Sequence, residues 1–257
     1  MTKDYGGEDR SSQPLRNNSW PVLLYIPNIL GYIRIILSFY GFRYALRNQP
    51  PKALNIWIAA AMLDLFDGAA ARMLNQCSQL GILLDVVADN ILRTVVWIAA
   101  MMEARSYTPT KENEICLWSG VICLEWITFF CSQNNQMTQK GDRHIHWKDV
   151  DARREEAEAA PAWVQAVFKN NFRSVPGALA IYGLFVAPFG TYIWYADHLQ
   201  KSSWPSQLLS EESMSILIKA SYAGRLLSAS VELWLCYEYV IGVIARDRRQ
   251  NLNRRNS

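Results

Sequence analysis

The chain has 257 residues, and its 26 lysines and arginines against 23 aspartates and glutamates give a formal net charge of only +3. Apolar residues make up 51% of it and aromatic residues 12%. This composition excludes an intrinsically disordered chain, a collagen-like repeat and a small disulfide scaffold. The five cysteines form no CxxC pair, and we interpret them as buried thiols. We expect no nucleic-acid partner.

The apolar residues are concentrated in six segments. A bilayer core about 30 Å thick requires roughly 20 apolar residues per helix, and each segment reaches that length. The segments run from about residue 21 to 45, 53 to 74, 80 to 102, 115 to 133, 174 to 196 and 214 to 245. The sequence therefore predicts an all-α integral membrane protein with six transmembrane helices.

The segments also predict the organisation of the chain and its orientation. A polar tail over 1–20 precedes a six-helix domain over 21–245, which contains a charged loop over 134–172 and is followed by a basic tail over 246–257. The first twenty residues lack the apolar core of a cleavable signal peptide. If they stay in the cytosol, that side of the membrane carries sixteen Lys and Arg residues and the other side six, with the rest inside the helices. This asymmetry predicts cytosolic termini and a cytosolic charged loop, in which we expect a short helix near Val150 to Ala160.

Four aspartates fall inside the second and third segments, where ionisable groups are costly and usually functional. Asp64 and Asp67 are three residues apart, and Asp85 and Asp89 are four apart, so each pair lies on one face of its helix. The short connection near Asn75 to Gln79 predicts that the two helices are antiparallel neighbours. Four carboxylates in one pocket require cations, and hard oxygen ligands suit Mg²⁺ or Mn²⁺. We expect two such ions.

Small and basic residues accompany these aspartates. Gly68, Ala71 and Gly81 would let backbones approach closely and leave room for a bulky ligand. Arg72 offers a planar donor fork suited to phosphate. Metal-binding carboxylates beside such an arginine indicate phosphoryl chemistry, although the carboxylates alone would also suit a proton relay or substrate path in a transporter.

Taken together, Asp64-x2-Asp67-Gly68-x2-Ala71-Arg72-x8-Gly81-x3-Asp85-x3-Asp89 resembles the signature of the CDP-alcohol phosphotransferase family at all eight positions. The neighbouring sequence is similar to the phosphatidylinositol synthase branch of that family. Three stretches carry this second similarity: YIPNILGYIRI (Tyr25 to Ile35), MLDLFDGAAARMLNQ (Met62 to Gln76) and GILLD (Gly81 to Asp85).

The resemblance implies a six-helix membrane enzyme that transfers a phosphatidyl group from CDP-diacylglycerol to myo-inositol and releases CMP. It also implies a homodimer in the endoplasmic reticulum, with membrane lipid around it. The implied ligands of the first metal are Asp64, Asp67 and Asp85. Those of the second metal are Asp64, Asp85 and Asp89, of which Asp89 would also be the general base. The implied cytidine diphosphate pocket is lined by Gly68, Ala71 and Arg72, with Asn28 nearby.

One departure from the branch concerns the acceptor. The branch usually has an arginine directly after the last aspartate, and this chain has Asn90. Arg93 lies on the same helix face as Asp89 and could bind the acceptor instead, or it could pair with Glu125. Arg225 in the sixth segment could pair within its own helix or face the acceptor. Two alternatives therefore stay open: another alcohol acceptor, such as glycerol phosphate or a different polyol, and a non-catalytic paralogue that binds a lipid or a partner.

Overall fold

The computed structural model describes residues 20–108, 112–139, 160–200 and 210–255. Within these ranges the regular structure is entirely helical, which confirms the predicted all-α class. The helices are α1 (Trp20–Leu23), α2 (Ile26–Ala45), α3 (Pro50–Met73), α4 (Gln79–Tyr107), α5 (Glu112–Gln139), α6 (Ala162–Phe172), α7 (Val175–Gln200) and α8 (Glu211–Arg255).

Several of these helices are long and apolar enough to cross a membrane, which indicates an integral membrane protein. Among the described residues, four stretches qualify by length and composition: Pro50–Met73, Glu112–Asn134, Val175–His198 and Glu211–Leu252. Helices α2 and α4 have 20 and 29 residues and are therefore long enough, but they are not among these four. The count of six spans therefore stays a prediction.

Helix α2 has the residue distribution of a membrane helix, with its large apolar side chains outside. Ile36 and Phe39 are 65% and 54% exposed. The buried face is instead small or polar, and its members are Pro27, Asn28, Gly31, Arg34, Ser38, Gly41 and Ala45. Small residues let neighbouring backbones approach closely, and an outward apolar face suits lipid.

Helices α3 and α4 contact each other, as expected, and their aspartates meet, but each packs more extensively on α2 than on the other. The two helices are joined by the short connection 74–78, yet they contact each other little, and both pack extensively on α2. The reason is the small face of α2. Gly31 faces the Leu84 side chain of α4, and Gly41 faces the Trp57 ring of α3. Trp57 Nε1 also donates a 2.9 Å hydrogen bond to the Ser38 carbonyl, which fixes α3 on α2.

The apolar core is an aromatic cluster that connects α3, α4, α5 and α7. Trp97 stacks on Trp118 with ring centroids 5.9 Å apart, and Trp57 meets the Tyr192 ring edge to face at 5.1 Å. On α3 the core residue Trp57 precedes Asp64 by about two turns, and on α4 Trp97 follows Asp89 by about two turns. The core therefore occupies one part of the bundle and the carboxylates another.

Helices extend into segments that the sequence suggested were loop or tail. Helix α5 continues to Gln139, and α6 occupies Ala162–Phe172, so both enter the predicted charged loop. Most of the helix expected at Val150 to Ala160 lies outside the described residues. Helix α8 continues to Arg255, because residues 246–255 contain neither glycine nor proline to end it.

The cysteines differ from the expectation in part. Cys131 is buried, but Cys77, Cys116 and Cys123 are exposed. Cys116 and Cys123 are seven residues apart on α5 and so share an outward face, which a membrane would cover with lipid. The prediction of buried thiols was therefore wrong for these three positions.

Candidate active site

The side chains of Asp64 and Asp67 on α3 and of Asp85 and Asp89 on α4 converge on one guanidinium, that of Arg34 on α2. Arg34 Nη2 lies 2.8 Å from Asp64 Oδ1, and Arg34 Nη1 lies 2.8 Å from both Asp67 Oδ2 and Asp85 Oδ1. Arg34 Nη2 also donates to Asp89 Oδ1. The structure therefore brings together the four carboxylates that the sequence singled out.

This carboxylate cluster fits divalent cations in geometry and in charge. Asp64, Asp67 and Asp85 each offer one oxygen, and these three oxygens all lie within 4.8 Å of one another. Arg34 supplies a single positive charge to four carboxylates, which leaves an excess of negative charge at close range. Carboxylate oxygens are the ligands that Mg²⁺ and Mn²⁺ prefer. The cluster could hold such ions.

The carboxylate cluster is closed on one side and open on the other. The side chain of Arg34 is only 2% exposed, whereas those of Asp64 and Asp85 are 39% and 30% exposed. The guanidinium therefore forms the closed inner side, and a ligand can approach the carboxylates from the outer side.

Arg72, Gly68 and Ala71 lie on the last turns of α3, next to this open side. A Cβ atom at Gly68 would lie 3.6 Å from Arg72 Nη1, so the guanidinium folds back over the glycine on the same helix face. Arg72 is exposed and Ala71 is half-buried. A glycine beneath an exposed planar donor fork leaves space for a phosphate group.

Asn28 precedes Arg34 by six residues on α2, lies in the contact between α2 and α4 and is completely buried. Its Nδ2 donates a 2.6 Å hydrogen bond to the Val22 carbonyl. Its Oδ1 would lie 2.8 Å from a Cβ atom at Gly81, so a larger residue there would have to displace the Asn28 side chain. Among the described residues this Oδ1 has no hydrogen-bond partner. Asn28 therefore packs the start of α4 against α2 and keeps one unused acceptor.

Arg93 pairs with Glu125 and also reaches Asp89. Its Nε donates to Glu125 Oε2 at 3.0 Å, and its Nη1 lies 3.9 Å from Asp89 Oδ2. Its Nη2 donates to Asn90 Oδ1. Arg225 pairs with Glu232 of its own helix at 3.0 Å. Pairing within the helix was one of the two alternatives that the sequence left open for Arg225.

Arg34 was not predicted as a site residue, yet its guanidinium lies at the centre of the carboxylate cluster. Two signals could have identified it. An arginine in the middle of an apolar segment faces the interior of a bundle by default. It also falls in register with Asn28, Gly31, Ser38 and Gly41, a three-to-four-residue spacing that marks the packed face of a helix.

Comparison with known proteins adds relatives for the part of the chain that forms this site. CDP-diacylglycerol–inositol 3-phosphatidyltransferase from Saccharomyces cerevisiae is 38% identical over 79 residues, which are 31% of this chain and 36% of that protein. The proteins of the same name from Candida albicans and Homo sapiens are 43% and 38% identical over 68 residues. Those residues are 26% of this chain in both cases, and 29% and 32% of the respective relatives.

The chain thus spans about a third of the length of the curated relatives that it matches. No solved structure matches it significantly. A family model described as CDP-alcohol phosphatidyltransferase matches residues 24–141. The resemblance inferred from the motif is therefore confirmed for this segment: residues 24–141, which hold Arg34 and all four aspartates, match the CDP-alcohol phosphatidyltransferase family.

Proposed function

We propose that this protein transfers the phosphatidyl group of CDP-diacylglycerol to myo-inositol and so forms phosphatidylinositol and CMP. The observation that carries the proposal is the convergence of four carboxylates from α3 and α4 beside the exposed Arg72 fork. The relatives that match this segment carry the name of this reaction.

Two divalent ions, Mg²⁺ or Mn²⁺, complete the proposed site. Asp64, Asp67 and Asp85 would hold the first ion, which agrees with the close approach of their oxygens. Asp64, Asp85 and Asp89 would hold the second. When bound, such ions neutralise the charge of the diphosphate and of the departing CMP. Arg34 would then share its carboxylates with these ions.

The nucleotide part of the donor would lie on the open side of the carboxylate cluster. Arg72 would bind a phosphate through its planar fork, while Gly68 and Ala71 leave room for the nucleotide above the helix. Asn28 would support this pocket by holding the start of α4 on α2.

The acceptor step would use Asp89 as general base. The acceptor hydroxyl would attack the phosphorus that carries diacylglycerol, its proton would pass to Asp89, and the bond from this phosphorus to CMP would break. Arg93 lies 3.9 Å from Asp89 and would help to bind the acceptor. The carboxylate and the guanidinium would thus face the same alcohol.

Membrane placement is part of the proposal. Six spans with both termini in the cytosol would put the end of α3, the start of α4 and the start of α2 on the cytosolic side. A hydrogen bond from the Ile26 backbone to Gln76 Oε1 at 3.0 Å joins two of these ends and supports this arrangement. We further propose a homodimer in the endoplasmic reticulum membrane.

The test is a transfer assay with purified protein in mixed micelles. CDP-diacylglycerol, Mg²⁺ or Mn²⁺ and one alcohol from a panel are supplied, and CMP and the lipid product are measured. We expect equal amounts of CMP and phosphatidylinositol with myo-inositol, and loss of turnover with retained CDP-lipid binding in Asp89→Asn.

Other outcomes would identify the alternatives. Product formation from glycerol phosphate but not from inositol would overturn the acceptor assignment. CDP-lipid binding without CMP release for any alcohol would indicate a non-catalytic paralogue. In proteoliposomes, lipid or solute flux without CMP release would indicate a transporter.

A further inference from the structure

A buried network of ion pairs, called the ionic chain below, connects α4, α5 and α8 next to the carboxylate cluster. Arg93 of α4 donates to Glu125 Oε2 of α5 at 3.0 Å, and Arg225 of α8 donates to Glu125 Oε1 at 3.2 Å. Arg225 also binds Glu232 Oε2 at 3.0 Å and Ser228 Oγ at 2.9 Å. Arg93, Glu125 and Arg225 are all nearly completely buried.

This ionic chain is balanced without the aspartates of the site. Its two arginines are matched by its two glutamates, so Arg93 does not depend on Asp89 for neutralisation. A buried ion network of this kind is weak evidence for stability, because well-packed apolar side chains would often hold the helices equally well. The geometry of the network at Arg93 instead indicates that it orients this side chain.

Three contacts fix the orientation of the Arg93 guanidinium. Glu125 accepts from Nε, Asn90 accepts from Nη2, and the Phe185 ring centroid lies 5.1 Å from Cζ and covers one face. In the described part of the chain, Nη1 has no hydrogen bond, and it is the nitrogen that approaches Asp89 at 3.9 Å. The donors of one nitrogen thus remain available beside the carboxylate.

We propose that Glu125 and Asn90 are positioning residues that hold Arg93 with Nη1 directed at the acceptor alcohol next to Asp89. The inference rests on the proposed function and extends it to residues outside the signature motif. A polyol hydroxyl bound there would accept from Nη1 while a neighbouring hydroxyl faces Asp89. Glu125 acts through Arg93 and does not itself touch the substrate, and Arg225 holds the second oxygen of Glu125.

The test compares Michaelis constants for the two substrates. Glu125→Gln keeps the shape of the side chain but removes its charge, and Asn90→Ala removes the second contact of Arg93. We expect each variant to raise the KM for inositol by roughly tenfold or more, with the KM for CDP-diacylglycerol unchanged. Glu103→Gln is the matched control: this glutamate is also buried on α4, but it lies ten residues, about 15 Å, beyond Arg93.

The outcomes separate this inference from the proposed function. If the wild-type protein transfers to inositol and both variants keep its KM for inositol, the positioning role is wrong and the proposed function stands. Equal increases of both KM values would also overturn the positioning role, since they indicate a general structural defect. If Glu125→Gln does not fold, Asn90→Ala alone decides between these results. A wild-type protein without transfer to any alcohol would overturn both proposals.

Discussion

The Arg34 guanidinium of α2 and the Asp67 carboxylate of α3 lie 2.8 Å apart in the interior of the bundle, although 33 residues separate them in the chain. The same guanidinium binds Asp85 and Asp89 of α4. Because α3 and α4 contact each other little, Arg34 provides the charged link through which α2 holds both helices. The carboxylates therefore have a cation within the fold when no divalent ion is bound.

Replacing Arg34 should make folding depend on divalent ions. In Arg34→Gln, four carboxylates face one another without their central cation, and we expect the free energy of unfolding of the ion-free protein to fall by about 3–5 kcal/mol. Addition of Mn²⁺ should stabilise the variant more than the wild-type protein, because no internal cation shares the carboxylates. Thermal unfolding in detergent, with a chelator and then with Mn²⁺, measures both effects.

The control for this experiment is Arg43→Gln, which removes an exposed arginine from the same helix. It should unfold as the wild-type protein does under both conditions. An equal Mn²⁺ stabilisation of the Arg34→Gln and wild-type proteins would show that Arg34 and the ions do not share the carboxylates.

The carboxylate cluster was predictable from the sequence, but the packing of both of its helices on α2 was not. The i,i+3 and i,i+4 spacings fix each aspartate pair on one face of its helix, and this needs only helical periodicity. The packing of α3 and α4 on α2 depends on shape, since Gly31 and Gly41 admit Leu84 and the Trp57 ring. Such complementarity between distant segments leaves no periodic signal in either of them.

For the ionic chain next to the site, the sequence predicted the charged residues but left their partners open. The sequence shows that Arg93, Glu125 and Arg225 lie inside apolar segments, where each needs a partner. It does not show that one glutamate serves both arginines, because this depends on how α4, α5 and α8 meet. Local spacing therefore identified candidates, and the tertiary packing selected among them.

Removing divalent ions or one of their proposed ligands should abolish transfer. We expect no turnover in excess chelator and recovery on addition of Mg²⁺ or Mn²⁺. Asp85→Asn should lower kcat/KM by more than about 100-fold, because the ions supply several kcal/mol of charge stabilisation. Mn²⁺ binding measured by electron paramagnetic resonance should weaken in the same variant. The exposed Asp247→Asn on α8 serves as control, and an Asp85→Asn protein with normal Mn²⁺ affinity would refute the metal assignment.

Two glycine substitutions should separate ligand binding from folding. A Cβ atom at Gly68 makes only ordinary contact with the Arg72 guanidinium, at 3.6 Å, so Gly68→Ala should fold with unchanged or slightly higher stability. The added methyl group should nevertheless raise the KM for CDP-diacylglycerol by roughly tenfold, because it occupies the proposed nucleotide space.

The companion variant Gly41→Ala should give the opposite result. Its Cβ atom collides with the Trp57 ring, so we expect lower thermal stability without a specific change in the KM for CDP-diacylglycerol. Substrate kinetics and melting curves of both proteins provide the comparison. If Gly68→Ala unfolded earlier and kept its KM, Gly68 would be a packing residue and not part of a nucleotide pocket.

The crossing of α7 and α8 should tolerate no side chain at Gly224. A Cβ atom there would collide with the Leu179 carbonyl oxygen, and the nearby Gly183 backbone leaves no room for a shift. We expect Gly224→Ala to lower the free energy of unfolding by about 1–3 kcal/mol, because backbone atoms cannot move aside as a flexible side chain can.

Since Arg225 follows Gly224 directly, the separation of the two helices should also pull Arg225 away from Glu125, which lies 3.2 Å from it, and so weaken acceptor binding. Gly242→Ala on the same helix has open space around its Cβ atom and should melt at the wild-type temperature or slightly above it. Equal melting temperatures for the two alanine variants would contradict the close backbone contact.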